Sequence, residues 1–187
     1  MRCYNSYDKI IFFIFHFLPF SLKMSNTSKA DGVLIAVPIL ASFITSYFAG
    51  KIKTEPDRAW FQPPGWVFFV VWTALYIMFG FLLYESKRQE EYFTLGLVIG
   101  ILVLTYSWQI IYNRLGLTKL ALYVIFLTLI LGLILFVQLF YSKIVKDTKF
   151  SEGYIMIYVP FLAWILFALL LSIHGRGSNF KTKPSTY

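Results

Sequence analysis

Five stretches of this chain run without a single Asp, Glu, Lys or Arg: Gly32–Gly50, Gly65–Tyr84, Tyr92–Asn113, Leu120–Ser142 and Gly153–His174. A bilayer core of about 30 Å is crossed by about 20 apolar helical residues, each adding about 1.5 Å. Each stretch is long enough to cross. In lipid the backbone must satisfy its own hydrogen bonds, so each is expected to be a helix. The expected fold is an all-α membrane protein, a five-transmembrane-helix bundle.

Composition says the same. Of 187 residues, 58% are apolar and 20% aromatic, but only 14% are charged, against roughly 25% in a soluble domain. The apolar excess must face lipid, which excludes a soluble enzyme. The net charge of +8 resembles a nucleic-acid footprint. All 17 Lys and Arg, however, lie at segment ends, in loops or in tails, where basic residues flank membrane spans. No nucleic-acid partner is expected. Cys3 is the only cysteine, and His16 and His174 stand at opposite ends of the chain. No disulfide and no metal site are expected.

The joints between spans are short and polar: Lys51–Pro64, Glu85–Glu91, Arg114–Lys119 and Lys143–Glu152. Residues 32–175 read as one transmembrane domain, and residues 176–187 as a flexible basic tail. Residues 1–31 form an N-terminal extension, dispensable or interfacial. Its apolar run Ile10–Phe20 contains Pro19 and is about half the crossing length. It reads as a signal-type segment, a surface anchor, or sequence upstream of a start at Met24. Basic residues divide nine against eight between the two sides, so they set no orientation.

Intramembrane charges mark proton relays, ion paths and voltage sensors; their absence from the spans argues against pumps, proton-coupled carriers and voltage-gated channels. It also leaves no acid–base pair, so no catalytic residue and no enzyme activity are expected. An apolar, aromatic interior with a few neutral polar groups suits a flat or bulky lipophilic ligand. On the second span Phe68, Trp72, Tyr76, Gly80 and Tyr84 recur at i+4, a stripe that serves packing or a binding wall. On the third, Thr105, Gln109 and Asn113 share a face bordered by Trp108, as interhelical glue or as a polar handle. Trp164 and Ala168 share a face of the fifth, where a large ring beside a small residue leaves a gap. Gly96 and Gly100 form a GxxxG pair, fit for a dimer face or an internal crossing.

Three segments, in order, resemble the translocator protein family, the tryptophan-rich sensory proteins. The first is Pro63-Pro64-Gly65-Trp66-Val67-Phe68-Phe69-Val70-Val71-Trp72-Thr73-Ala74-Leu75-Tyr76 with Gly80. The second is Thr105-Tyr106-Ser107-Trp108 with Tyr112, and the third is Pro160-Phe161-Leu162-Ala163-Trp164 with Phe167-Ala168 and Asn179. The resemblance spans about residues 32–179, and five helices is the family's number.

The resemblance implies a cavity opening toward the first loop. Pro63, Phe68, Trp72 and Tyr76 would line one wall, Thr105, Trp108 and Gln109 would face it, and Trp164 and Ala168 would close the opposite side. It implies tetrapyrrole ligands, protoporphyrin IX or haem, with sterols as a further class and no obligatory cofactor. A transport or stress-sensing role follows from the same likeness. So does an integral, multi-pass location: a mitochondrial outer or other intracellular membrane in a eukaryote, the cell membrane in a bacterium. Two alternatives accompany this: light-dependent porphyrin breakdown using the pocket tryptophans, and a structural homodimer joined at Gly96 and Gly100.

The chain departs from the family pattern in places. Thr105 replaces an asparagine and Val70 a proline, while Ser172 and Ile173 replace an asparagine and a tyrosine. The last change removes the animal-type sterol motif, a weak pattern in any case, and favours tetrapyrroles over sterols.

Overall fold

The computed structural model describes residues 29–50, 60–146 and 149–179. They form five helices: α1 Lys29–Ala49, α2 Gly65–Arg88, α3 Tyr92–Gln109, α4 Thr118–Lys146 and α5 Lys149–Asn179. A π-helical turn, Ile110–Arg114, continues α3. Three segments are by themselves long and apolar enough to cross a membrane: Gly65–Arg88, Tyr92–Arg114 and Thr118–Ser142. Two shorter apolar stretches, Val33–Ala49 and Tyr158–His174, lie within α1 and α5.

The helices overrun the charge-free stretches that predict them. Helix α2 ends at Arg88 rather than Tyr84, and α4 runs on to Lys146. Of the expected Lys143–Glu152 loop, residues 143–146 and 149–152 are helical, and residues 147–148 lie outside the described residues. Helix α5 continues to Asn179, into the stretch expected to be flexible. Hydropathy marks where lipid ends; Lys, Arg and Glu are good helix formers and carry α2 and α4 beyond it. The extension before Lys29 and most of the first loop, residues 51–59, also lie outside the described residues.

Helix packing gives a ring in the order α1, α2, α5, α4, α3, with α2 also touching α3 across it. Helix α2 supplies nearly half of the core, including Val67, Val71, Leu75, Phe79 and Leu82. Phe79 meets Phe161 edge-on at 4.9 Å, and Val98, Ile101 and Leu135 close the centre. The outward faces are as apolar as the core. Val33, Val37, Leu40, Ile44 and Tyr47 line the outside of α1, and Tyr123, Phe126, Leu133 and Val137 that of α4. Such continuous exposed apolar surface belongs in lipid.

Two details fix how the helices meet. A Cβ placed on Gly80 would overlap the carbonyl oxygen of Ile35 and lie 3.0 Å from its Cα, so only glycine allows α1 and α2 to approach this closely. Tyr106 Oη donates to the carbonyl of the buried Pro38 at 2.8 Å, tying α3 to α1. At the end away from the first loop, the buried Glu85 accepts hydrogen bonds from Arg88 and Gln89.

Candidate functional site

Of the aromatic residues singled out on α2 and α5, Phe68 and Trp164 meet toward the first-loop end of the bundle, Trp72 and Tyr76 lie further along α2, and Tyr84 stands near its other end beside Glu85. Helix α2 starts after Pro63, which is buried, and Pro64; proline at a helix start loses no hydrogen bond, since that N–H has no partner anyway. Phe68, one turn in, meets Trp164 of α5 edge-to-face at 5.2 Å. Trp164 is buried and touches Phe167 at 5.5 Å. Ala168, buried one turn after Trp164, places a small side chain beside that indole. Its carbonyl accepts a hydrogen bond from Ser172 Oγ.

A second aromatic group lies between α2 and α3. Trp72 stacks on Tyr76 at 5.5 Å, and Tyr76 leans against Tyr106, also at 5.5 Å. Thr105 is buried beside Tyr76 and donates its own hydrogen to Leu102 O at 2.8 Å. Of the three indoles on α2 and α5, Trp72 is half-buried and Trp164 buried, whereas Trp66, like Trp60 of the first loop, is exposed.

Phe61, at the end of the first loop, packs against α5. Its ring meets Phe167 at 6.3 Å and His174 at 5.4 Å, both near edge-on. Phe61 thus joins the end of the first loop to α5 beside Phe167, the ring that touches Trp164.

The third-helix residues behave differently from one another. In an α-helix, Thr105, Gln109 and Asn113 would share one face. The α-helix ends at Gln109, however, and the π-turn that follows shifts the register, so Asn113 leaves that alignment. Leu115 N bonds Ile110 O at 3.2 Å, the i+5 closure that defines the wider turn. Trp108 stacks on Tyr112 at 5.2 Å. No ring contact joins Trp108 to Trp72 or Trp164 among the described residues. Gln109 Oε1 accepts from Ser46 Oγ of α1 at 3.4 Å.

Three donors in this region are buried without an acceptor: Tyr76 Oη, Trp108 Nε1 and Trp164 Nε1. Each such group costs about 1–3 kcal/mol when left unmade. Ser86 Oγ and Tyr158 Oη are likewise unpaired among the described residues, so the number is that of ordinary packing; what these three share is that they stand among aromatic rings. Rings with inward N–H and O–H groups can hold a flat apolar molecule that carries acceptors.

The glycine pair of α3 is split between two surroundings. A Cβ on Gly100 would meet Leu131 of α4 at 3.5 Å, whereas one on Gly96 would meet nothing. Gly100 thus faces an internal crossing, and Gly96 lies on the exposed side. Among the described residues no cluster of His, Cys, Asp or Glu could hold a metal ion.

The expected walls leave out Tyr106 and Phe167, although both stand in the motif segments, and Phe61. Each lies one to three residues from a residue that was named, and only the packing shows which neighbouring ring turns inward.

Residues 33–175 match the model of the TspO/MBR family. The chain is also similar to the tryptophan-rich protein TspO of Archaeoglobus fulgidus, with 28% identity over 149 residues, covering 74% of this chain and 87% of that protein. The family match takes in all three segments of the aromatic site, together with the apolar helices that enclose it: the chain belongs to the TspO/MBR family and is an integral, multi-pass membrane protein.

Proposed function

We propose that this protein is a membrane receptor in which all five helices cross the bilayer and the aromatic slot at the first-loop end binds tetrapyrroles, protoporphyrin IX or haem. The observation that carries this is the set of three acceptor-less donors, Tyr76 Oη, Trp108 Nε1 and Trp164 Nε1, set among aromatic rings. A porphyrin offers what these groups lack: a wide π-face for offset stacking, worth about 0.5–1.5 kcal/mol per ring pair, and carboxylate acceptors. Trp72 and Tyr76 supply one face, Phe68 and Trp164 another, with Phe61 at the end of the first loop. Sterols are a secondary ligand class, held by the apolar walls alone.

Capture and release need no acid–base residue, and this reading takes the protein as a binding and transport or stress-sensing device rather than an enzyme. A second copy would pack on the outer face of α3 at Gly96, where an added side chain meets open space.

Titrating protoporphyrin IX into the protein in lipid nanodiscs while following tryptophan emission tests the proposal. Saturable quenching is expected, because Trp72 and Trp164 border the slot. Linear, unsaturable quenching equal to that of free tryptophan would remove the slot as a binding site.

A further inference from the structure

The π-turn that ends α3 gathers polar groups where the chain reaches the membrane surface. Ile110–Arg114 packs against the C-terminal end of α1. Had α3 stayed α-helical, Arg114 would stand about 140° round the axis from Gln109. The wider turn brings both onto α1: Gln109 meets Ser46, and Arg114 Nη1 reaches the carbonyl of Phe48 at 3.5 Å. That bond is at the long limit of hydrogen-bond geometry. Arg114 is exposed, and a guanidinium has five donors, so most of its capacity is uncommitted. One residue before Gln109, the Trp108 indole N–H is buried without an acceptor.

The geometry points to a carboxylate anchor: Arg114, assisted by the Gln109 amide, holds the acid group of a ligand whose flat apolar body lies in the aromatic slot. This rests on the slot reading above and adds the selectivity for acids. Arg pairs with a carboxylate through two parallel N–H···O bonds, and at the membrane surface it does so without burying charge in lipid. Tyr106, which leans on Tyr76, precedes Arg114 by eight residues, about 12 Å at α-helical rise and less through the π-turn. A tetrapyrrole ring with its propionate arms covers that distance. A lipid phosphate presents the same chemistry, so the test is made in phosphatidylcholine nanodiscs, which carry no net anionic headgroup.

The experiment compares protoporphyrin IX with its dimethyl ester by tryptophan quenching, on the wild type, Arg114→Gln and Arg114→Lys. The wild type is expected to prefer the diacid by about tenfold, the worth of one charge-assisted bond. Arg114→Gln is expected to erase that preference by weakening diacid binding alone, and Arg114→Lys to keep part of it. Equal affinity of the wild type for both ligands would overturn the anchor while leaving the slot standing. So would an equal loss of both in Arg114→Gln, which would make Arg114 a cap for α1. Failure of the wild type to bind either ligand would overturn the slot and the anchor together.

Discussion

Gly80 of α2 presses on the backbone of Ile35 in α1 so closely that no side chain fits between them. Glycine in a helix interior costs roughly 0.5–1 kcal/mol relative to alanine, so its place here is set by this contact. Gly80→Ala is expected to lower stability by about 1–3 kcal/mol, the usual cost of overpacking. Gly96→Ala, whose new methyl meets open space, is expected to hold or raise stability. Thermal unfolding of both variants in detergent, followed by circular dichroism, checks the contrast.

Two tyrosines that lean on one another are expected to answer the same substitution differently. Tyr106→Phe removes a bond to Pro38 O and should destabilise by about 0.6 kcal/mol, the average for such bonds in membranes. Tyr76→Phe removes a buried hydroxyl that stands beside Thr105 without a well-formed hydrogen bond, so the unliganded protein should change little in stability. Its porphyrin affinity should nevertheless fall several-fold. Unfolding curves and binding isotherms on the same two variants separate the roles, and an unchanged affinity in Tyr76→Phe would take that hydroxyl out of the site.

Trp164 packs against both Phe68 and Phe167. Trp164→Ala is expected to weaken protoporphyrin binding by about tenfold, and Trp72→Ala by a similar factor, from lost ring stacking. Trp164→Phe keeps a ring but not the N–H and should fall between. Unchanged affinity in both alanine variants would argue that the ligand sits elsewhere. Porphyrin absorbance can report binding here, because these variants alter the tryptophan signal.

Phe61 reaches across to Phe167 and His174. Phe61→Ala opens this contact and is expected to raise the porphyrin off-rate about fivefold, with a smaller change in on-rate. Stopped-flow displacement would resolve the two. An off-rate equal to that of the wild type would mean the loop does not retain ligand.

The number and positions of the helices are legible in the sequence because charge-free runs are what lipid demands. Their ends are not: Arg88 and Lys146 lie beyond the apolar stretches, where Glu, Lys and Arg extend the helix by propensity rather than hydropathy, and nothing in propensity explains why α5 runs on through Gly175 and Gly177 to Asn179. At the site, Trp72, Tyr76 and Trp164 stand out by residue type and spacing. Their pairings do not, because whether Trp164 meets Phe68 or Trp72 depends on how α2 and α5 turn toward each other. The π-turn leaves no mark in the hydrophobic pattern, since Ile110, Ile111 and Tyr112 would suit either kind of turn.

That turn also bears on bookkeeping between relatives. A π-turn holds about one residue more than the α-helical path it replaces, so an offset builds across Ile110–Arg114 and reaches about 100° at Arg114. Set against a homologue whose third helix stays regular, the spatial counterpart of Arg114 is the neighbour of the residue that a gapless alignment selects. A basic residue displaced by one position in such a relative would be the same feature, differently counted.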